Sequence, residues 1–268
     1  MLPKPKHLAP QYGQQFEDSS IASVYATRPP YPEQVFDVLQ SLFPPGSKSL
    51  LDLGCGTGDI ALGMVGRAER IDAIDPSQAM LDIAYQRPRA NDVSVSWLNE
   101  SAESFDFRAP YGLVVAAESF HWMDWPIVIP KVARALESNA SLAIVKGRNL
   151  KGLPWLHDLQ RLIPRFSTNQ DYRAYDVVTE LRTRGLFEEV GRVTTTPVAF
   201  TQPLADYVES FHTRNGFSRE RMTRENAAAF DQALTELVLA HTPDAQIRGW
   251  VTAEVIWGTP VSTVLSPR

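Results

Sequence analysis

The 268 residues carry 26 Lys and Arg against 31 Asp and Glu, a formal charge of −5, with 44% hydrophobic and 21% charged residues. Those fractions describe a globular chain long enough to bury a full core, and they exclude a disordered or fibrous protein. The acidic balance speaks against nucleic acid as the main partner, because phosphate binding needs a clustered positive face.

Cys55 is the single cysteine, so no internal disulfide forms, and a lone thiol fits a reducing, cytoplasmic setting. The opening MLPKPKHLAPQYG lacks the apolar region of a secretory signal. No apolar run approaches the ~18 residues that span a bilayer, so no membrane partner is expected.

Residues 1–17 read as a loose arm or a weak helix. Ile21, Val24 and Tyr25 predict a short helix that stops before Arg28-Pro29-Pro30. Pro32 suits the first turn of a second helix, where a missing N–H is harmless. That helix carries Val35, Phe36, Leu39 and Leu42 on one face and ends before Pro44-Pro45-Gly46. Ser49–Leu53 is a short apolar strand that runs into a glycine-rich turn. Ile60–Gly66 reads as helix, Arg70–Asp75 as strand, Ser77–Gln86 as helix, and Val93, Val95 and Trp97 alternate as in a strand. Gly112–Ala117 and Ala140–Val145 are continuous apolar runs, the look of strands buried on both faces, with a helix over Pro126–Leu136 between them. This alternation predicts βαβ units and a doubly wound, mostly parallel sheet.

After Val145 the alternation stops. Trp155–Phe166 and Tyr175–Arg184 read as helices, the latter with Gly185 as C-cap. Phe187–Phe200 reads as one strand, Leu204–Thr213 and Arg224–His241 as helices, and Trp250–Trp257 as a last strand. Parallel sheets bind ligands beyond the carboxyl ends of their strands, so helical insertions there would act as a lid.

The strongest signal is Leu51-Asp52-Leu53-Gly54-Cys55-Gly56-Thr57-Gly58-Asp59, which follows a strand and opens a helix. Glycines in such a turn allow backbone to approach a ligand closely. Dinucleotide folds use G-x-G-x-x-G with a pyrophosphate at the helix N-terminus. Here the third glycine of that pattern is replaced by Asp59, whose carboxylate would repel a pyrophosphate. No Gly-Lys-Ser/Thr follows, so the loop is not a P-loop.

Asp52–Asp59 resembles the first motif of class I methyltransferases that use S-adenosylmethionine. Asp75-Pro76-Ser77 with Met80 is similar to that family's D-x-S-x-x-M turn, and Asn99-Glu100-Ser101-Ala102-Glu103 aligns with its G-D-A-E segment, with Ser101 where the family has Asp. Phe16, Tyr25, Arg28-Pro29-Pro30-Tyr31-Pro32 and Ser119-Phe120-His121-Trp122-Met123-Asp124 resemble motifs of the trans-aconitate methyltransferase-like branch. The fourth strand departs from the family's F-D-L-V, reading Tyr111-Gly112-Leu113-Val114.

The resemblance implies a Rossmann-like fold with helical lid insertions, S-adenosylmethionine as donor and S-adenosylhomocysteine as product. It divides the chain into an N-terminal arm over 1–48, a donor-binding core over 49–147, a lid over 148–186, and C-terminal strands over 187–268 with a second helical insertion at about 203–241. It implies donor contacts from Tyr25, Arg28, Asp52, Gly54, Cys55, Gly56, Asp75, Pro76, Ser77, Met80, Ser101, Ala102, Glu103, Ala116 and Ser119. Acceptor contacts would come from Tyr31, Phe120, His121, Trp122 and Arg148. The expected acceptor is a small aromatic or heterocyclic metabolite, with a small organic acid as alternative. A monomer or homodimer is expected.

Several residues have a plainer second reading. Asp52 is either a donor ligand or a salt-bridge partner of Arg28 or Lys48. His121 and Glu118 are the candidate catalytic residues, yet His121 also suits helix capping or packing on Trp122, and methyl transfer to a carboxylate needs no base. Cys55 has no nearby His to activate it and reads as a small loop residue. The remaining histidines show no ligand spacing, so no metal is expected. Two rivals stand beside the enzyme: an NAD-dependent oxidoreductase, and a donor-binding module without transfer activity.

Overall fold

The computed structural model describes residues 4–88, 95–107 and 110–262. The predicted strand residue Val93 lies outside the described residues. The arm is a chain of short helical turns, with α1 (Pro10–Gly13) and α2 (Ser19–Val24) separated by 3-10 turns. Next comes α3 (Gln34–Ser41), whose Val35, Phe36 and Leu39 are buried, as the spacing predicts. The core then alternates: β1 (Ser49–Leu53), α4 (Asp59–Gly63), β2 (Arg70–Ile74), α5 (Gln78–Gln86), β3 (Val95–Leu98), β4 (Tyr111–Ala117), α6 (Trp125–Ala135) and β5 (Leu136–Lys146). The C-terminal half adds β6 (Leu150–Lys151), α7 (Leu156–Phe166), α8 (Val177–Thr183), β7 (Phe187–Thr194), β8 (Val198–Pro203), α9 (Leu204–His212), α10 (Arg224–Leu239), β9 (Gln246–Val251) and β10 (Glu254–Pro260).

Seven strands form one sheet in the order β3-β2-β1-β4-β5-β10-β7. The pairs among β1 to β5 are parallel, whereas β10 runs antiparallel to both β5 and β7. The strand order reverses between β1 and β4, which opens a crevice at their carboxyl ends. Alternate residues of the pleat feed two cores. Leu51, Leu53 and Val114 join Trp125 and Val128 on one face, and Leu50, Val115 and Val145 join Val35 and Leu39 on the other.

Two expected strands each turn out to be two. Phe187–Phe200 breaks around Thr195-Thr196-Pro197, where proline has no N–H for a ladder, and 250–257 breaks at Thr252-Ala253. The breaks coincide in space: Thr195 N–H donates to Ala253 O and Ala253 N–H to Thr195 Oγ1, both at 2.9 Å. There the chain leaves the large sheet for a small antiparallel one of order β6-β9-β8.

The small sheet and α7, α9 and α10 enclose a core of their own, with Trp155, Tyr207, Phe211, Phe230, Leu234 and Ile247 buried in it. The lid is therefore a single α+β cap rather than two helical insertions. Helix α8, expected within the lid, instead buries Val177, Val178 and Leu181 in the core of the large sheet.

Candidate active site

The glycine loop follows β1. Gly54, Gly56 and Gly58 all have positive φ (69°, 54° and 84°). At Gly54 a Cβ would stand 2.6 Å from Ser119 Cβ, and at Gly58 2.5 Å from the Trp97 ring, so both need glycine for space as well as for φ. Gly56 differs: no protein atom lies within 4 Å of its Cβ position. The loop thus presents bare backbone at Gly56.

The loop is tied to β2. Gly54 and Cys55 donate their N–H groups to Ile74 O, and Gly56 N–H donates to Asp75 Oδ2 at 2.8 Å. The other oxygen of Asp75 accepts the Ser77 N–H at 2.8 Å. Burial pushes the Asp75 carboxyl up to about 6, against the two N–H bonds that favour its ionised form.

Asp75, Pro76 and Met80 line a cavity of about 1550 Å³ together with Gly54 and Gly56. Ser101, Ala102 and Glu103 border it beyond β3, and Phe16, Tyr25 and Arg28 of the arm close it from the other side. A smaller chamber of about 550 Å³ shares Glu118, Ser119, His121 and Trp122 with it and runs toward Lys146 and Tyr175.

Six expected donor or acceptor residues stand outside the large cavity. Asp52 is buried, and its Oδ2 accepts the Ala61 N–H at 3.1 Å in α4, while Oδ1 has no partner among the described residues. Burial pushes this carboxyl up to about 8. The salt-bridge reading of Asp52 does not hold, because Arg28 bonds Thr213 and Lys48 faces Glu69. Cys55 is buried, and burial pushes its thiol up, so it is no nucleophile. Ser77 caps α5 by accepting the Met80 N–H. Ala116 joins the sheet's core and borders only the smaller chamber, and its neighbour Ala117 lines the large cavity instead. Tyr31 is buried against Arg148, 4.8 Å from its ring centre. Phe120 is also buried; it borders only the smaller chamber, and its carbonyl accepts from Trp125 Nε1 at 2.8 Å.

The turn after β4 is strained. Glu118 has φ 54°, a conformation few side chains adopt without cost. Its carboxylate accepts the Gly147 N–H, and Ser119 Oγ donates to Leu53 O, so the turn is fastened to β1 and to the end of β5. His121 packs on Trp122, with ring centroids 4.6 Å apart, and lies 6.1 Å from Tyr175. Burial, helped by the charges of Lys4 and Arg28, lowers the imidazole to about 3, so the ring is neutral at neutral pH.

Arg148 reaches the cavity wall with its charge already matched. Its guanidinium pairs with Asp59 and sits 5.2 Å from the Tyr25 ring centre. Asp59 also pairs with Arg87. Burial pushes the Asp59 carboxyl up, and the two arginines outweigh it and hold the carboxyl below the usual range. The repulsion of a pyrophosphate expected from Asp59 is therefore neutralised locally, and Asp59 supplies no argument against a dinucleotide.

Sequence reading missed how the arm and cap join over the cavity. Asp18 receives Arg221 through both carboxylate oxygens at 2.7 and 3.0 Å, Gly216 N–H donates to Gln15 Oε1, and Asn215 donates to Tyr12 O. It also missed Arg214, a cap residue on the cavity wall. No local pattern marks either, because partners such as Asp18 and Arg221 lie 203 positions apart.

Residues 50–139 match the family model described as a methyltransferase domain. That segment runs from β1 to the start of β5 and contains the glycine loop and Asp75. Residues 50–139 form a methyltransferase domain. An uncharacterized methyltransferase of Mycobacterium tuberculosis is 31% identical over 147 residues, which are 55% of this chain and 58% of that protein. The Saccharomyces cerevisiae protein named "probable S-adenosylmethionine-dependent methyltransferase CRG1" is 29% identical over 146 residues, 53% of this chain and 48% of its own. The chain thus spans about half the length of these relatives. In fold, the chain is similar to a structure from Anaeromyxobacter dehalogenans described as a "putative type II methyltransferase" (TM-score 0.58, 24% identity, 87% of this chain and 97% of that one). It is also similar in fold to the YcgJ protein of Bacillus subtilis (TM-score 0.51, 13% identity, 86% and 100% covered).

Proposed function

We propose that this chain transfers a methyl group from S-adenosylmethionine to an O, N or C atom of a small-molecule acceptor and releases S-adenosylhomocysteine. The observation that carries the reading is the Asp75 carboxylate beside the bare backbone of Gly56, both on one cavity wall. Each Asp75 oxygen accepts one backbone N–H and keeps lone-pair capacity for a ribose hydroxyl. The Asp75 carboxylate, ionised at neutral pH, also favours a cationic ligand.

The donor, when bound, supplies an already activated methyl on a sulfonium. The chain's own task is binding, alignment and exclusion of water. In this reading Asp75 holds the ribose, Met80 and the Ser101–Glu103 turn border the adenine, and Tyr25 and Arg28 hold the amino-acid end. The acceptor lies against Trp122 and His121, with Phe16 tilted against Trp122, ring centres 5.5 Å apart. These rings support an acceptor with a flat apolar body, such as an aromatic or heterocyclic metabolite. The lone, buried Cys55 supports a reducing, cytoplasmic setting.

Deuterium-labelled donor incubated with pools of phenols, nitrogen heterocycles and small carboxylic acids tests the reading. A labelled methyl on a small molecule is the expected result. Absence of S-adenosylhomocysteine binding by calorimetry contradicts it.

A further inference from the structure

The large cavity is lined by an arginine that has neither an ion pair nor a side-chain hydrogen bond among the described residues. Arg214 follows α9 and lines the cavity from the cap. Its guanidinium instead lies over the Phe211 ring, 4.0 Å from the centroid. Phe211 is fully buried and wedged against Tyr207, Phe217 and Phe230, so the stacked guanidinium rests on a rigid platform. Because no side-chain hydrogen bond among the described residues engages them, its N–H groups are available to a planar, bidentate anion.

Several other cavity cations are engaged. Arg148 pairs with Asp59, Arg28 bonds Thr213, and Lys4 donates to Met123 O at 2.8 Å. Glu118 lies within electrostatic reach of Arg214, but its carboxylate is held by the Gly147 N–H. Burial and the like charge of Arg28 lower Arg214 to about 10, which leaves it protonated at neutral pH. A sequestered cation without a counter-charge is unfavourable in the free protein and is relieved by an anionic ligand.

We propose that Arg214 binds a carboxylate carried by the acceptor, so that the acceptor class is an acid with a flat apolar body. This deepens the methyltransferase reading and rests on it. In this proposal the carboxylate is a handle that orients the acceptor rather than the methylated group: a bidentate guanidinium draws charge from both oxygens and makes them poorer nucleophiles. The donor also bears a carboxylate, and the test separates the two sources.

The experiment titrates protein saturated with S-adenosylhomocysteine with benzoate, salicylate and 3-phenylpropionate, and with the amide of each. The expected result is that at least one acid binds about tenfold or more tighter than its amide, as loss of a charge-assisted bond implies. Arg214→Met is expected to lose that preference about tenfold or more, and Arg214→Lys to keep part of it. Affinity for S-adenosylhomocysteine in Arg214→Met is expected to stay within about threefold of wild type.

Wild-type protein that binds none of the acids overturns the proposal, as does acid binding that survives in Arg214→Met. A fall of about tenfold in S-adenosylhomocysteine affinity in Arg214→Met gives the arginine to the donor and overturns it too. Wild-type protein that fails to bind S-adenosylhomocysteine overturns the methyltransferase reading itself, and this proposal with it. Thermal unfolding checks the variant: Arg214→Met keeps an apolar contact over Phe211, so its Tm is expected to match or exceed wild type. A drop of more than about 5 °C makes Arg214 a structural cation and overturns the assignment.

Discussion

Asp75 Oδ2 accepts the Gly56 N–H at 2.8 Å, so the carboxylate at the end of β2 fixes the loop that follows β1. One side chain therefore shapes the loop and faces the cavity. Asp75→Ala is expected to weaken S-adenosylhomocysteine binding by about 10- to 100-fold, the range for a lost charged hydrogen bond. The variant is also expected to lower Tm by several degrees, because Gly56 and Ser77 lose their acceptor. Calorimetry and thermal unfolding read the two effects separately, and unchanged affinity removes Asp75 from the site.

The same carboxylate gives the binding a pH dependence. Its pKa is raised by burial to about 6. The ionised form accepts from hydroxyls at both oxygens. Affinity for S-adenosylhomocysteine is expected to be steady from pH 8 to 7 and to fall below about 6, at most tenfold per pH unit from this group. Stability runs the other way. A carboxyl raised in the folded state favours folding below its unfolded pKa, and that contribution is lost as pH rises through about 6. Titrations from pH 5 to 8 on wild type and Asp75→Asn check this; a profile that persists in Asp75→Asn assigns the titration elsewhere.

Gly54 and Gly56 separate folding from binding. A Cβ at Gly54 meets Ser119 Cβ at 2.6 Å, whereas at Gly56 it meets no protein atom within 4 Å. Gly56→Ala is expected to lose about 1–2 kcal/mol of stability for its left-handed backbone and more than tenfold in donor affinity. Gly54→Ala is expected to lose more stability than Gly56→Ala, since strain and clash add. Equal Tm losses with intact binding in Gly56→Ala contradict a ligand at that backbone.

His121 borders both chambers but titrates far below neutrality. A base with pKa of about 3 takes little of a proton at pH 7. Once an acceptor is known, His121→Ala is expected to lower kcat less than about tenfold and to leave the acidic limb of the pH–rate profile unmoved. A loss of 100-fold or more restores the general-base role.

The donor side of the site was legible because its signals are local. Gly54 to Asp59, Asp75 and the turn at 99–103 each sit at a strand end, and strand ends on one edge of a parallel sheet converge. Asp52 and Ala116 stand off the large cavity for a related reason: a strand residue's identity does not say which face of the pleat it takes, and both are buried. The cap was not legible. Its small sheet depends on strands that switch sheets at Thr195 and Ala253, a meeting set by partners 58 positions apart. Asp59 was located correctly and misjudged, because Arg87 and Arg148 arrive from distant elements to neutralise it. Arg214 carries no motif; only its place over Phe211 and its missing partner mark it.

Calorimetric titration of the wild-type protein with S-adenosylhomocysteine, with NADH in a parallel cell, tests the central claim most directly. The account predicts saturable single-site binding of S-adenosylhomocysteine, weakened about 10- to 100-fold in Asp75→Ala, and no saturable heat from NADH. Binding of NADH without S-adenosylhomocysteine, or of S-adenosylhomocysteine with equal affinity in Asp75→Ala, would contradict it.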